Sequence, residues 1–515
     1  MPRVPLLLVL LCALPLFAQS PTLEQQALDA WRTYDYPTAE RLYRQALTAN
    51  PTSGDAHGGL VRTLLNEKNL QAARDAANTA LRAAPDSAAV QAASGDVFFR
   101  DGRIEDAEIA YRRSAKLDDN CARAWHGLSQ IAQITSNYRS ARRDIFKAHE
   151  LDPKDPEIYE SWASRLPRPE RRKAVEYLVD HHGHLDPDRL NILQSRLAWL
   201  IVLGNKTAWK LVSTRETAKL RLDHIVSAAH LGDGRFTTPP REGAVAIHVR
   251  FNDKKTVSLL LDTGASGIVL RKSDAAKAEI KQVYDIATKG IGDEKPANGY
   301  LGWAHDVKIG PIEFENVPVT VLDARFPEGS DGLMGIDVFE HFLITLDIKN
   351  SELSLAPLPE IPANLRDEAG AADRYVAPAM QSFDRVMHLG AHILVSTSVD
   401  QQPAGLFFLD TGAFDTQIDP NNVSKSKLQP APGLSVRGLS GNVRDVYVAS
   451  NVQIQFGRFT QDNFRMVAIS MDKLSEGEGI ALGGILGFPL LSQFRLTIDY
   501  RDGLVNFDYH NSNKR

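Results

Sequence analysis

The chain has 515 residues, 43% hydrophobic and 24% charged, with a formal net charge of −5 at pH 7. That is a globular composition with length for several cores, which excludes a disordered or fibrous chain. The mildly acidic balance offers no basic field for nucleic acid or an anionic membrane surface, and points to protein or peptide partners.

At the start, Arg3 precedes an apolar run from Val4 to Phe17, and Ala18 closes it in PLFAQS. A charge, a short apolar run and a small residue are the layout of a secretory signal over residues 1–18, too short for a comfortable membrane span. An uncleaved anchor is the alternative reading. Leu11 stands before Cys12 where a lipoprotein signal would carry a small residue. The mature chain is thus expected to be periplasmic or extracellular, with no transmembrane span after the signal. Only Cys121 then remains, so no internal disulfide forms and core packing must stabilise the exported domains.

Residues 23–155 repeat. Ala39, Ala73, Ala107 and Ala141 recur at intervals of 34, as do Ala46, Ala80, Ser114 and Ala148, then Pro51, Pro85, Asp119 and Pro153. Small residues at this period let antiparallel helices pack closely, and the proline ends the second helix. The pattern resembles the tetratricopeptide repeat, and four copies fit. Trp125 and Leu128 match its aromatic and leucine positions, whereas Leu23 and His57 depart from the former. Such a solenoid implies either a concave face that binds a protein partner or a spacer, and both readings stay open.

Residues 156–242 read as an irregular helical connector, with apolar positions in AVEYLV and LAWLIVL but no 34-residue register. His181, His182 and His184 lie beside Gly183 and Pro187 and lack the paired helical spacing of zinc ligands, so they are read as a solvated loop. Breakers from Gly232 to Gly243 mark a boundary.

From residue 243 the pattern turns to short strands rich in Val, Ile and Leu, first over 243–357 and again over 379–510, joined by a proline- and charge-rich linker at 358–378. Asp262-Thr263-Gly264-Ala265 follows the apolar VSLLL, and Asp410-Thr411-Gly412-Ala413 follows GLFFL. Each copy is succeeded by apolar-apolar-Gly, at Leu333 to Gly335 and Ile485 to Gly487, and then by Thr345 to Asp347 and Thr497 to Asp499. Buried strands would deliver each aspartate at a loop tip, where Gly264 and Gly412 permit the tight turn. Two carboxylates in one cleft cannot both ionise cheaply, so one keeps its proton and the pair titrates as a unit.

These paired signatures resemble the retropepsin and pepsin clan of aspartic proteases, and more closely bacterial exported proteins with two retropepsin-like units in tandem. The resemblance covers about residues 243 to 510. It implies a multidomain α + β chain, an α-solenoid followed by two all-β lobes forming a pseudo-symmetric bilobal unit. It also implies an exported aspartic endopeptidase with Asp262 and Asp410 catalytic and with Thr263 and Thr411 bonded across to lock the loops. Flaps over the peptide substrate would be Gly290, Ile291 and Gly292 and, in the second unit, Gly438, Leu439, Ser440 and Gly441; ordinary hairpin turns are the other reading. No metal or organic cofactor is required. Phe414 departs from the small or polar residue usual after the second motif, and Asp415 adds a third carboxylate, expected in solvent. The rival reading is a catalytically inactive envelope protein that binds peptides or partners. Pairing of units between chains is a further possibility. No nucleotide-loop, H-E-x-x-H, C-x-x-C or G-x-S-x-G motif is present. A β-rich half beginning near Arg241 is expected to fold without the repeats.

Overall fold

The structure is a computed structural model that describes residues 21–181, 187–213, 217–227, 241–288, 297–434, 436–438 and 441–510. The expected signal, residues 1–18, and His182 and His184 lie outside these. His181, read as a loop residue, ends the helix Arg168–His181 instead, exposed and stacked on Tyr177.

Antiparallel helix pairs open the chain: α1 (Leu23–Arg32) and α2 (Tyr36–Ala49), α3 (Gly54–Asn66) and α4 (Leu70–Ala83), α5 (Ala88–Arg100) and α6 (Ile104–Leu117), α7 (Ala122–Ile134) and α8 (Tyr138–Leu151). Side-chain oxygens of Thr22, Asp35, Ser53, Asn69 and Ser87 cap successive helix starts, satisfying amides that no helix can pair internally. The periodic alanines Ala39, Ala73, Ala107 and Ala141 are fully buried where helices meet. Charged and polar side chains tie helices together across the repeats. Arg62 binds Asp155 at 2.7 Å, Arg123 binds Asp96 at 2.8 Å and also Glu157, and Tyr111 donates to Asp96 at 2.7 Å. Arg32 at the end of α1 reaches Asp152 beyond α8 at 2.8 Å, so the stack curls until its first and last repeats touch.

Three further helices, α9 (Pro156–Ala163), α10 (Arg168–His181) and α11 (Pro187–Leu203), follow. The connector does not stay helical, contrary to expectation. Lys210–Leu211, Ala218–Arg221 and Asp223–Ser227 are strands, and each pairs into a sheet of the β-rich half. Buried Ala218 and Leu220 alternate with exposed Lys219 and Arg221, a period of two that the helical runs upstream obscured. Among the described residues no helix is long and apolar enough to cross a membrane.

The two lobes share one topology. In the first, the hairpin Arg241–Phe251 and Lys255–Asp262 is flanked by Gly332–Gly335, parallel to the latter strand, and Gly332–Gly335 by antiparallel Ile268–Arg271. In the second, His392–Val399, Gly405–Leu409, Gly484–Leu486 and Gln417–Ile418 repeat these relations. Phe342–Asp347 pairs antiparallel with Phe494–Asp499 so that Thr345 faces Thr497, Ile344 faces Ile498 and Leu346 faces Leu496. Equivalent residues thus meet about a pseudo-two-fold axis at the threonine pair. That pairing builds a six-stranded sheet across both lobes, with Ala218–Arg221 on one edge.

The repeats are fused to this unit. Ile104, Tyr111, Leu128 and Ile131 share one apolar cluster with Leu394, Leu406, Phe408, Ile480 and Leu482 of the second lobe. The Ala481 amide donates to Arg100 O at 2.7 Å, and Asp373 accepts from the Ser140 amide and hydroxyl at 2.8 and 2.9 Å. The segment 358–378, expected to be a plain linker, is therefore docked on α8.

This shared cluster weighs against a separable β-rich half. The repeats cover part of this apolar surface, and each side chain they keep from water contributes up to about 2 kcal/mol. A fragment beginning at Arg241 should aggregate or bind a hydrophobic dye. A soluble, dye-negative fragment melting like the full chain would refute the shared core.

Candidate active site

The site is built from the ends of two buried strands. Leu259, Leu260 and Leu261 are almost wholly excluded from solvent, as are Leu406, Phe407 and Leu409, so each strand is anchored up to its aspartate. The parallel neighbour fixes the height: Gly335 is in register with Asp262, and the Asp410 amide donates to Leu486 O at 3.0 Å. Leu333 to Gly335 and Ile485 to Gly487 therefore lie beside the loops as supports.

The two loops exchange hydroxyls. Thr263 Oγ1 donates to Leu409 O at 2.6 Å and accepts from the Thr411 amide at 2.9 Å. Thr411 Oγ1 donates to Leu261 O at 2.9 Å and accepts from the Thr263 amide at 3.1 Å. Both threonines are fully buried, so each hydroxyl bridges the lobes without competition from water.

Above them stand Asp262 and Asp410, half-buried and brought together within one chain. The Gly264 amide donates to Asp262 Oδ1 at 2.8 Å, and the Gly412 and Ala413 amides donate to Asp410 Oδ1 at 2.8 and 2.9 Å. The glycines are needed for space: a Cβ on Gly264 would lie 2.6 Å from Asp410 Cγ, and one on Gly412 2.4 Å from Asp262 Cγ.

Burial, then the Asp410 charge and a hydrogen bond with Asp410, hold the Asp262 carboxyl well above the usual range, opposed by the Gly264 and Gly412 amides. Burial raises Asp410 as well, opposed by the hydrogen bond from Asp262, the Gly412 and Ala413 amides and the His392 charge. Both carboxyls are raised, so the pair titrates as a unit and holds one shared proton between Asp262 and Asp410.

The surroundings are less symmetric than the loops. Phe414 lies across the lobe junction with Ile225, Ala244, Ala246 and Leu260, and a Cβ on Gly243 would come 2.2 Å from its ring. On the other side Asp337 accepts from the Gly267 amide at 3.0 Å and from Ser266 Oγ at 3.3 Å. Burial pushes its carboxyl to about 6, against the Gly267 amide. Asp337 escaped the sequence reading, although Gly-Ile-Asp after the first supporting strand, against Gly-Phe-Pro after the second, was the available signal. Asp415, expected in solvent, is half-buried. Of the flap positions, Gly290, Ile291, Gly292, Leu439 and Ser440 lie outside the described residues. Their flanks pair antiparallel, Thr288 with Ala297 and Gly438 with Gly441.

Family models match both halves of this architecture. The aspartyl protease family model matches residues 247–338 and again 395–490. Two tetratricopeptide repeat models match residues 30–97 and 93–156. The chain therefore carries a retropepsin-like aspartyl protease domain twice, behind tetratricopeptide repeats. Among solved structures, one described as the functional characterization of Pseudomonas aeruginosa pilF is 20% identical, with a TM-score of 0.25, covering 35% of this chain and 83% of that one. A thermophilic tetratricopeptide-repeat protein of Thermus thermophilus is 18% identical, with a TM-score of 0.28, covering 35% of this chain and 98% of that one. No curated protein matches the chain.

Two outcomes follow from this geometry. Thr263→Val leaves Leu409 O and the Thr411 amide buried and unpaired, which costs about 2–5 kcal/mol, whereas Thr263→Ser keeps the hydroxyl. Urea unfolding should separate the two variants, and equal midpoints would remove the hydroxyl exchange from the stability account. The dyad also links stability to pH. Because the folded pair is held above the unfolded carboxylate range, its contribution is fully present near about pH 3.5 and lost as pH rises through the folded values. Asp262→Asn removes that loss, so its melting temperature relative to wild type should rise from pH 3.5 towards neutrality. A constant difference would contradict the burial of the pair.

Proposed function

We propose that the chain is an exported aspartic endopeptidase that hydrolyses peptide bonds with a water activated between Asp262 and Asp410. The observation that carries this reading is the proton-sharing pair held over the reciprocal Thr263 and Thr411 bonds. Burying two like-charged groups is costly, and a module that only binds peptides gains nothing from it.

In this reading Asp262 carries the shared proton and Asp410 the charge. Asp410 takes a proton from the water as its oxygen attacks the scissile carbonyl carbon, while Asp262 gives its proton to the carbonyl oxygen. A neutral tetrahedral gem-diol results. On collapse the C–N bond breaks, the leaving nitrogen receives the proton held by Asp410, and a gem-diol hydroxyl returns its proton to Asp262. One water is consumed and the dyad regains its starting state. Neither step moves net charge into the cleft, which suits a site walled by apolar strands.

Peptide or protein is the substrate class. The helical repeats act first as a scaffold for the second lobe, a role supported by the shared apolar cluster and by ion pairs that occupy the helices' facing surfaces. Recruitment of a protein would use the surfaces left free. Export rests on the leader read in residues 1–18.

Purified full-length protein should cleave denatured protein or a peptide library, and either Asp262→Asn or Asp410→Asn should lower the rate at least about 100-fold. The profile of kcat/KM should be bell-shaped, with its acid limb above the ordinary carboxylate range because Asp410 is raised, and its basic limb set by loss of the Asp262 proton. A rate climbing steadily into alkali, or turnover surviving either substitution, would overturn the dyad. Peptide binding without cleavage at any pH would favour the inactive binding protein.

A further inference from the structure

The two aspartates occupy equivalent loops in unequal neighbourhoods. In the first lobe Ala246 faces Leu260 across the hairpin, so the next same-face position, Ala244, falls beside Asp262. That side is sealed by apolar groups, Ile225 and Phe414 among them. In the second lobe Leu394 faces Phe408, and the same step places His392 beside Asp410. A methyl group thus flanks one aspartate and an imidazole flanks the other.

His392 is held on several sides. Its ring stands edge-on to Phe408 with centroids 5.0 Å apart. Its Nδ1 lies 3.4 Å from Glu478 Oε1, at the end of the helix Asp472–Glu478. Asp410 on its own sheet and Asp337 from the first lobe also act on it through their charge. Arg100 of α5 reaches the adjoining Gly479, where a Cβ would lie 3.2 Å from its Nη1. Burial alone would favour a neutral ring, but Glu478 first, then Asp410 and Asp337, raise its affinity for a proton above the ordinary value. In return its charge opposes protonation of Asp410.

We infer that His392, braced by Glu478, is a positioning residue for the dyad: a cation on one side only, which fixes Asp410 as the ionised, water-activating member and leaves the proton on Asp262. The inference rests on the peptidase reading and deepens it. In a symmetric pair the shared proton would divide between two equivalent sites. An imidazolium beside one carboxylate and a methyl beside the other remove that degeneracy before substrate arrives. The cation also extends activity towards acid, because Asp410 stays ionised to lower pH.

Two measurements on the full chain test this. In the first, the His392 imidazole is titrated by NMR, its signal assigned by loss in His392→Gln. Its pKa should fall in Glu478→Gln and fall in Asp410→Asn, because each removes an anion that favours the charged ring. In the second, the pH profile of peptide cleavage is recorded. The acid limb should move up by about one pH unit in His392→Gln, move the same way in Glu478→Gln, and return towards wild type in His392→Arg, which carries a permanent cation. An imidazole pKa indifferent to Asp410→Asn, or an acid limb unmoved in both His392→Gln and Glu478→Gln, overturns the inference. Should His392→Gln fail to fold, Glu478→Gln still decides. If the imidazole responds to Asp410→Asn but the wild type cleaves nothing, the charge pairing stands and the peptidase reading falls.

Discussion

The geometry of the carboxyl pair depends on two buried hydroxyls that serve each other's loops. Thr263 and Thr411 each donate to the opposite strand's carbonyl and accept from the opposite threonine's amide. Such bonds contribute about 1 kcal/mol each when made, but leaving a buried partner unpaired costs up to about 3 kcal/mol. The lobes therefore resist sliding more strongly than the bonds alone suggest. Since the loops cannot move independently, the strand ends, the glycines and the two carboxyls hold one geometry. The Thr345 and Thr497 pairing in the six-stranded sheet lies on the same pseudo-axis and supports it from a second level.

The helical repeats belong to the same mechanical unit. A solenoid normally buries its core only between neighbouring repeats. Here Ile104, Tyr111, Leu128 and Ile131 also cover the sheet face that carries Leu394, Leu406 and Phe408. Phe408 is two residues before Asp410, so the face that the repeats cover is continuous with the strand that delivers the aspartate. A displacement of α6 or α7 would thus be felt at the second loop before the first, whose strand is backed instead by Asp223–Ser227 through Arg241–Phe251.

Local patterns were readable in the sequence, and pairings between distant segments were not. The 34-residue spacing of small residues revealed the helix pairs because close packing requires small side chains at each crossing. Both D-T-G-A motifs were legible because a short apolar strand, an acid and a glycine all sit within one loop. Residues 210–211 and 218–227 were misread, since strands of two to five residues give a weak period next to strongly apolar helices. The docked segment 358–378 looked like a linker, because composition reports polarity but not that Asp373 accepts two bonds from Ser140. Phe414 seemed a departure from the motif. It is the residue that packs the second loop onto Gly243, and nothing local indicates a partner so far away in sequence.

A dyad with one proton has to be asymmetric to work, yet the frame that holds it is nearly symmetric. The repeated motif cannot supply the difference, because Asp, Thr and Gly are the same in both copies. The difference lies one layer out. On one side of the lobe junction Phe414 meets Gly243 and Ala244 in an apolar contact that excludes water. On the other, Ser266 and Gly267 hold Asp337, and His392 with Glu478 carries charge to Asp410. An apolar wall disfavours ionisation of its neighbour, and a nearby cation favours it. Both effects push in the same direction, leaving the proton on Asp262 and the negative charge on Asp410. The frame thus sets the distance between the carboxyls, and residues outside the repeated motif decide which of them ionises.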